Sequence, residues 1–310
     1  MKKRVVGIAI GGTKTAVITA YFDGGLSNLN KTVLKTDSNN AIKEMENIYN
    51  ILDKEEKIDF ISVISGGPLD SQQGIIINPP HLPGFNNFPI VTILKEKYKC
   101  PVTLLNDADA CALAEYKFGP YKDDKNLAYI TFGTGFGAGL ILNGELYLGH
   151  NGMAGEIGHV RLENSGPVGY GKVGSVEAFC AGGNIPLWAK EYIGNKKTSL
   201  NKYQTFATKD IADAANNGDL IAKEIFNELA RYLARSISIL IDILNLDVVV
   251  IGGIYPRCEN LLKEEMFNEL KKECIPNNLE VCRIVSSYLK ENIDDYSSLM
   301  GLFLKDSHLE

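Results

Sequence analysis

VVGIAIGGTKTAVITAYFDG (5–24) and AYITFGTGFGAGLILNG (128–144) carry the architecture of this chain. Each runs from an apolar strand into a glycine turn and out into a second apolar strand. The first closes on Asp23-Gly24 and the second on Asn143-Gly144, dipeptides suited to the positive φ angles of a tight hairpin turn. Helix-patterned segments follow each copy, 39–57 after the first and 208–245 after the second. A third strand-plus-glycine unit, Val248 to Gly253, follows the amphipathic run DLIAKEIFNELARYLARSISILIDIL (219–244). The pattern predicts two similar α/β halves with a cleft between them, each directing a hairpin turn at it. Of the 30 glycines in 310 residues, 15 fall between Gly133 and Gly183. That crowding among strand residues points to backbone that approaches a ligand closely.

A length of 310 residues accommodates two domains of about 150 residues each. Hydrophobic content of 45% and charged content of 23% belong to an ordinary globular chain and exclude disorder, collagen and coiled coil. The net charge of −6 and the lack of any basic block argue against nucleic acid as a partner. Six scattered cysteines with no C-x-x-C pair read as reduced thiols, and the expected location is cytoplasmic. The apolar stretch after MKKR is too short for a signal peptide. The run ISILIDILNLDVVVIGGI carries Asp242, Asn245 and Asp247, so no membrane span is expected.

Glycine turns after strands commonly hold phosphate through backbone N–H groups, and three versions compete. A P-loop needs Lys directly after its last glycine, but here Thr13 separates Gly12 from Lys14. A dinucleotide turn would open a helix, yet Gly133, Gly135 and Ala138 lead into strand-like LILNGELYL. A pair of β-hairpin phosphate clamps, one per domain on opposite ends of a nucleoside triphosphate, accounts for the duplication.

The set GIAIGGTK (7–14), LLNDADACALAE (104–115), FGTGFGAG (132–139), GEIGH (155–159) and VVVIGG (248–253) resembles the ROK (repressor, open reading frame, kinase) family of sugar kinases, in family order. The resemblance implies a two-domain actin-like, hexokinase-like (ribonuclease H-like) α/β fold. It also implies ATP with Mg2+, and a hexose or N-acetylhexosamine acceptor, as in glucokinase-like or N-acetylmannosamine kinase-like enzymes. The expected domains are a smaller one over 1–118, with a C-terminal helix at about 293–310 packing back on it, and a larger one over 119–292. A homodimer is a possibility that the resemblance raises.

Phosphoryl transfer needs in-line placement, charge neutralisation and a base for the attacking hydroxyl. Asp107, after the strand-like PVTLL, is the candidate base; the plain alternative is that Asp107 or Asp109 caps the helix ADACALAEY. Glu156 and His159 have a spacing that could hold metal on a helix, but Gly155 and Gly158 favour a sugar-facing loop. By resemblance, the sugar set is Gly67, His81, Asn106, Asp107, Glu156, His159 and Glu177. The ATP set, likewise, is Gly11, Gly12, Thr13, Lys14, Gly133, Thr134, Gly135, Gly252 and Gly253.

Three departures from the family pattern stand out. Val168, Tyr170 and Ser175 occupy the places of three zinc thiolates, so no zinc is expected. Ala9 replaces the aspartate of D-x-G-G-T that helps hold the magnesium shell, and His81 replaces a sugar-contacting asparagine. Ala9 motivates a rival expectation, a sugar-binding sensor with weakened catalysis. A DNA-binding repressor, the family's other branch, would need a helix-turn-helix ahead of the first phosphate strand.

Overall fold

The computed structural model describes residues 2–55 and 57–304, and these fall into two compact units. Unit 1 takes Met1–Gly119, Leu148–Ala154 and Glu291–Glu310; unit 2 takes Pro120–Tyr147 and Gly155–Lys290. The expected second domain, 119–292, included residues 148–154, which group with unit 1 here.

Unit 1 is built on a five-stranded sheet. Strands β1 (Lys3–Ile10), β2 (Lys14–Phe22) and β3 (Leu26–Lys35) form an antiparallel meander, and β4 (Phe60–Ser65) and β5 (Val102–Asn106) add in parallel, giving the order β3-β2-β1-β4-β5. Helices α1 (Ala41–Leu52) and α2 (Ile90–Tyr98) seal one face with Met45, Ile48, Leu52 and Leu94 against Val6, Ile8, Ile61 and Val63. Each such side chain, fully buried, is worth roughly 1.5–3 kcal/mol over its exposed state. Helix α3 (Asp107–Phe118) begins as β5 ends.

Unit 2 repeats the scheme. Strands β6 (Leu127–Phe132), β7 (Phe136–Leu142) and β8 (Glu145–Leu146) are antiparallel, and β9 (Val248–Ile251) and β10 (Arg283–Ser286) are parallel, in the order β8-β7-β6-β9-β10. Asn143 (φ 55°) and Gly144 (φ 81°) make the tight turn into β8 that the Asn-Gly pair predicts. Between the meander and β9 lie α4 (Val176–Cys180), α5 (Ile185–Ile193), α6 (Thr208–Asn216) and α7 (Leu220–Leu244); α8 (Tyr255–Glu273) follows β9.

Two expected helices differ in detail. The segment 208–245 is two helices, because Gly218 takes φ 90° and the Asp219 carboxylate accepts hydrogen bonds from the Ile221 and Ala222 N–H groups, starting α7 afresh. The helix expected at about 293–310 is a short helix, Ile293–Ser297, followed by a 3-10 turn, Met300–Phe303; residues 305–310 lie outside the described residues. Gly301 explains the close packing of that turn. A Cβ there would stand 1.9 Å from the Thr103 hydroxyl, and its N–H donates to the Ser62 hydroxyl at 3.1 Å. Phe118 of α3 packs on Tyr296 with ring centroids 4.7 Å apart. Among the described residues, no helix is long and apolar enough to cross a membrane.

Candidate active site

In unit 1, β1 turns into β2 through Gly11, Gly12 and Thr13. The turn closes with the Gly11 N–H donating to the Lys14 carbonyl at 3.1 Å, and Thr13 accepts from the Thr36 N–H at 3.2 Å. His81 packs directly on it: a Cβ on Gly12 would lie 2.7 Å from the His81 Cβ and 2.8 Å from its carbonyl oxygen. Glycine is required there by close approach. Lys14, at the far side of the turn, pairs with Asp294 at 3.2 Å. Both side chains are more than half exposed, so the pair contributes about 0–1 kcal/mol and yields easily to a stronger anion.

Asn106 ends β5 and Asp107 opens α3. The plain alternative for Asp107 was the cap, but the N-cap is Asn106, whose Oδ1 accepts from the Ala108 N–H at 2.8 Å. Asp107 Oδ1 accepts from the same N–H at 2.9 Å, and Oδ2 faces Gly66, one residue before Gly67. Burial raises the Asp107 carboxyl above the usual aspartate range; the Ala108 N–H opposes that, and the charge of Asp294 adds to it. Asp107 nonetheless keeps an exposed surface.

In unit 2 the second glycine turn closes with the Gly133 N–H donating to the Gly135 carbonyl at 3.1 Å. Gly253, two residues past β9, abuts it, while Gly252 lies against the Tyr129 ring. Gly253 takes φ 68°, and a Cβ there would stand 2.0 Å from the Phe132 carbonyl oxygen. These members of the expected ATP set are therefore neighbours. Gly182, which the glycine crowding signalled but no motif singled out, backs the same turn, its N–H donating to Gly133 at 2.7 Å.

Glu156 and His159 flank a 3-10 turn, Ile157–His159, rather than a longer helix. Gly155 and Gly158 are pressed on β7: added Cβ atoms would meet the Ala138 and Phe136 carbonyl oxygens at 1.9 and 2.1 Å. Both expected sugar ligands are exposed. Glu177 lies one residue into α4, beside Gly158 and also beside the second glycine turn, where its Oε2 accepts from the Phe136 N–H at 3.3 Å. Sequence alone placed Glu177 with the sugar ligands and missed that second attachment. It also missed Asp294, whose partner Lys14 lies 280 residues away.

The positions expected to lack zinc ligands have other work. Ser175 is fully buried and caps α4, accepting from the Ala178 N–H at 3.2 Å. Val168 and Tyr170 lie on an exposed two-stranded hairpin, Val168–Gly169 with Lys172–Val173. Cys180 is buried, and burial pushes its thiol well up, away from the thiolate a metal requires. These residues do not fit a tetrahedral zinc site. Elemental analysis of the purified protein is therefore expected to find well under one zinc per chain, and EDTA should leave Tm unchanged. One zinc per chain would overturn this reading.

Two sheets of one strand order, each led by a hairpin with a glycine turn, define an actin-like, hexokinase-like fold. Residues 5–304 match the ROK family, and the chain belongs to it. The glucokinase of Thermotoga maritima is 29% identical over 302 residues, covering 94% of this chain and 94% of that protein. The N-acetylmannosamine kinase of Yersinia pestis is 32% identical over 246 residues, covering 79% of this chain and 80% of that protein. Among solved structures, the ROK hexokinase from Thermus thermophilus aligns with a TM-score of 0.79 at 27% identity, over 96% of this chain and 97% of that one.

Proposed function

We propose that this protein is a cytoplasmic kinase that transfers the γ-phosphoryl group of ATP to a hydroxyl of a hexose or N-acetylhexosamine. One observation carries the reading: Asp107 opens α3 directly after β5, in the same unit as a glycine turn whose lysine pairs with an exposed carboxylate. The names of the two curated relatives, a glucokinase and an N-acetylmannosamine kinase, set the acceptor class.

Asp107 takes the proton of the attacking hydroxyl as its oxygen bonds to the γ-phosphorus and the bond to the β–γ bridging oxygen breaks, releasing ADP. Lys14 exchanges Asp294 for a phosphate oxygen, and the Gly11–Thr13 and Gly133–Gly135 turns meet the phosphates with N–H groups other than those of Gly11 and Gly133, which close the turns. Gly252 and Gly253 back the adenosine. Gly67, His81, Asn106, Glu156, His159 and Glu177 bind sugar hydroxyls, which suit paired carboxylate acceptors and imidazole donors. Asp294, the exposed carboxylate paired with Lys14 beside the first glycine turn, is a hard oxygen donor that would hold magnesium through its water shell. When bound with ATP, magnesium neutralises phosphate charge.

Ala9 favours a second reading, a sugar-binding protein with little turnover. ADP release measured over a panel of hexoses and N-acetylhexosamines separates the two. Turnover with at least one sugar supports the kinase; tight sugar binding with no ADP above background supports the sensor.

A further inference from the structure

We infer that Tyr170 and Lys172 are positioning residues that hold His159 in its sugar-binding orientation. The inference rests on the reading of His159 as a sugar ligand and goes beyond it. Gly155 and Gly158 pin the 3-10 turn to β7, but His159 at its end is exposed, and an exposed side chain loses rotamer freedom when it binds. Two grips reach it from the hairpin. The Tyr170 ring meets the imidazole edge-on, with centroids 5.9 Å apart and planes at 79°, a favoured aromatic arrangement. Lys172 Nζ donates to the His159 carbonyl at 2.7 Å.

The hairpin itself is anchored firmly enough to transmit that hold. Arg161 donates to the Val173 carbonyl at 2.9 Å, and the Val176 N–H donates to Val160 at 2.9 Å. The buried Ser175 hydroxyl lies 3.3 Å from both the Gly169 and Lys172 carbonyls. Gly174 takes φ 68°, with no room for a Cβ against the Glu163 carbonyl. Hairpin and cap thus join the segment carrying His159 to the helix carrying Glu177.

The backbone at Tyr170 adds an independent argument. Its φ is 47° and that of Gly171 is 74°, the two-residue turn where asparagine and glycine are favoured and a bulky aromatic is an outlier. Local conformation therefore disfavours tyrosine here, while the contact with His159 uses its ring. The imidazole is the ring's partner, and half of Tyr170 remains exposed to solvent.

The decisive variant is Tyr170→Gly, which suits the backbone and removes only the ring. Calorimetry with the sugar found in the panel should show about fivefold weaker sugar binding. ATP affinity should be unchanged and Tm equal or higher. Tyr170→Phe should bind as the unaltered protein does, because the contact is through the ring. Tyr170→Gly combined with His159→Ala should be no weaker than His159→Ala alone. Three results overturn the inference while leaving His159 a ligand: unchanged sugar affinity in Tyr170→Gly, additive losses in the double variant, or parallel losses of ATP affinity and Tm. If His159→Ala itself leaves sugar binding untouched, the underlying assignment of His159 fails, and the inference with it.

Discussion

Asp107→Asn should lower kcat by roughly 10²–10⁴-fold, the usual worth of a positioned general base, while the sugar dissociation constant stays within a few-fold. At 1.36 kcal/mol per decade this is about 3–5 kcal/mol of barrier. The amide keeps the shape of the carboxylate, and its oxygen can still accept from the Ala108 N–H, so α3 is not disturbed. What is lost is the ability to take a proton. The pH profile gives a second check. Asp107 must be ionised to act, so kcat/KM should fall as pH drops through its pKa. Burial and Asp294 raise that pKa, so the acid limb should sit above the ordinary aspartate range. Asp294→Asn removes a nearby negative charge and should move the limb downward. Wild-type turnover in Asp107→Asn would leave this residue with no role in catalysis.

Ala9→Asp should raise turnover at least tenfold, about 1.4 kcal/mol of barrier, and lower the magnesium concentration at half-maximal rate. Residues 7 and 9 share one face of β1. A Cβ on Gly7 would strike the Ser298 hydroxyl at 2.4 Å, so the short C-terminal helix covers that face at position 7. Ala9 is half-buried, two residues nearer the Gly11 turn, and there Asp294, one helical turn before Ser298, pairs with Lys14. A carboxylate at position 9 would add a second hard donor to that end of the unit, where magnesium is commonly anchored by one or two carboxylates through its water shell. Without magnesium the same substitution adds negative charge near Asp294, so Tm should fall and then recover as magnesium is titrated in. No gain in rate and no shift of the midpoint would mean that Asp294 already suffices.

The Asn143-Gly144 hairpin was legible because a turn of two residues is encoded by those two residues, whereas the β2–β3 loop takes three, Asp23 to Gly25, with positive φ at Gly24 alone. Of the parallel strands, β5 and β9 were legible as the short apolar runs PVTLL and VVVI. The break in 208–245 was also written locally, as Gly218 and Asp219, but helical periodicity on both sides masks it. Asp294 and Glu177 are different. Their roles come from partners 280 and 41 residues away, and no spacing rule spans such distances. The glycine crowding that includes GEIGH was read as backbone approaching a ligand, whereas the structure packs Gly155 and Gly158 against β7 carbonyls, a contact no local pattern names. Nor does any pattern in Leu148–Ala154 reveal that it groups with unit 1.

His81 and Gly12 have a consequence for anyone who would redesign this enzyme. Position 81 is the obvious place to diversify acceptor preference, since the sequence itself has already changed there. Its backbone, however, rests on the turn proposed to face the phosphates, with no slack between them. Libraries built at 81 should therefore be screened for nucleotide affinity as well as for new sugars, because a bulky or β-branched choice that shifts the chain would be felt by both substrates. Evolvability at this corner is shared property: selecting for one ligand retunes the other.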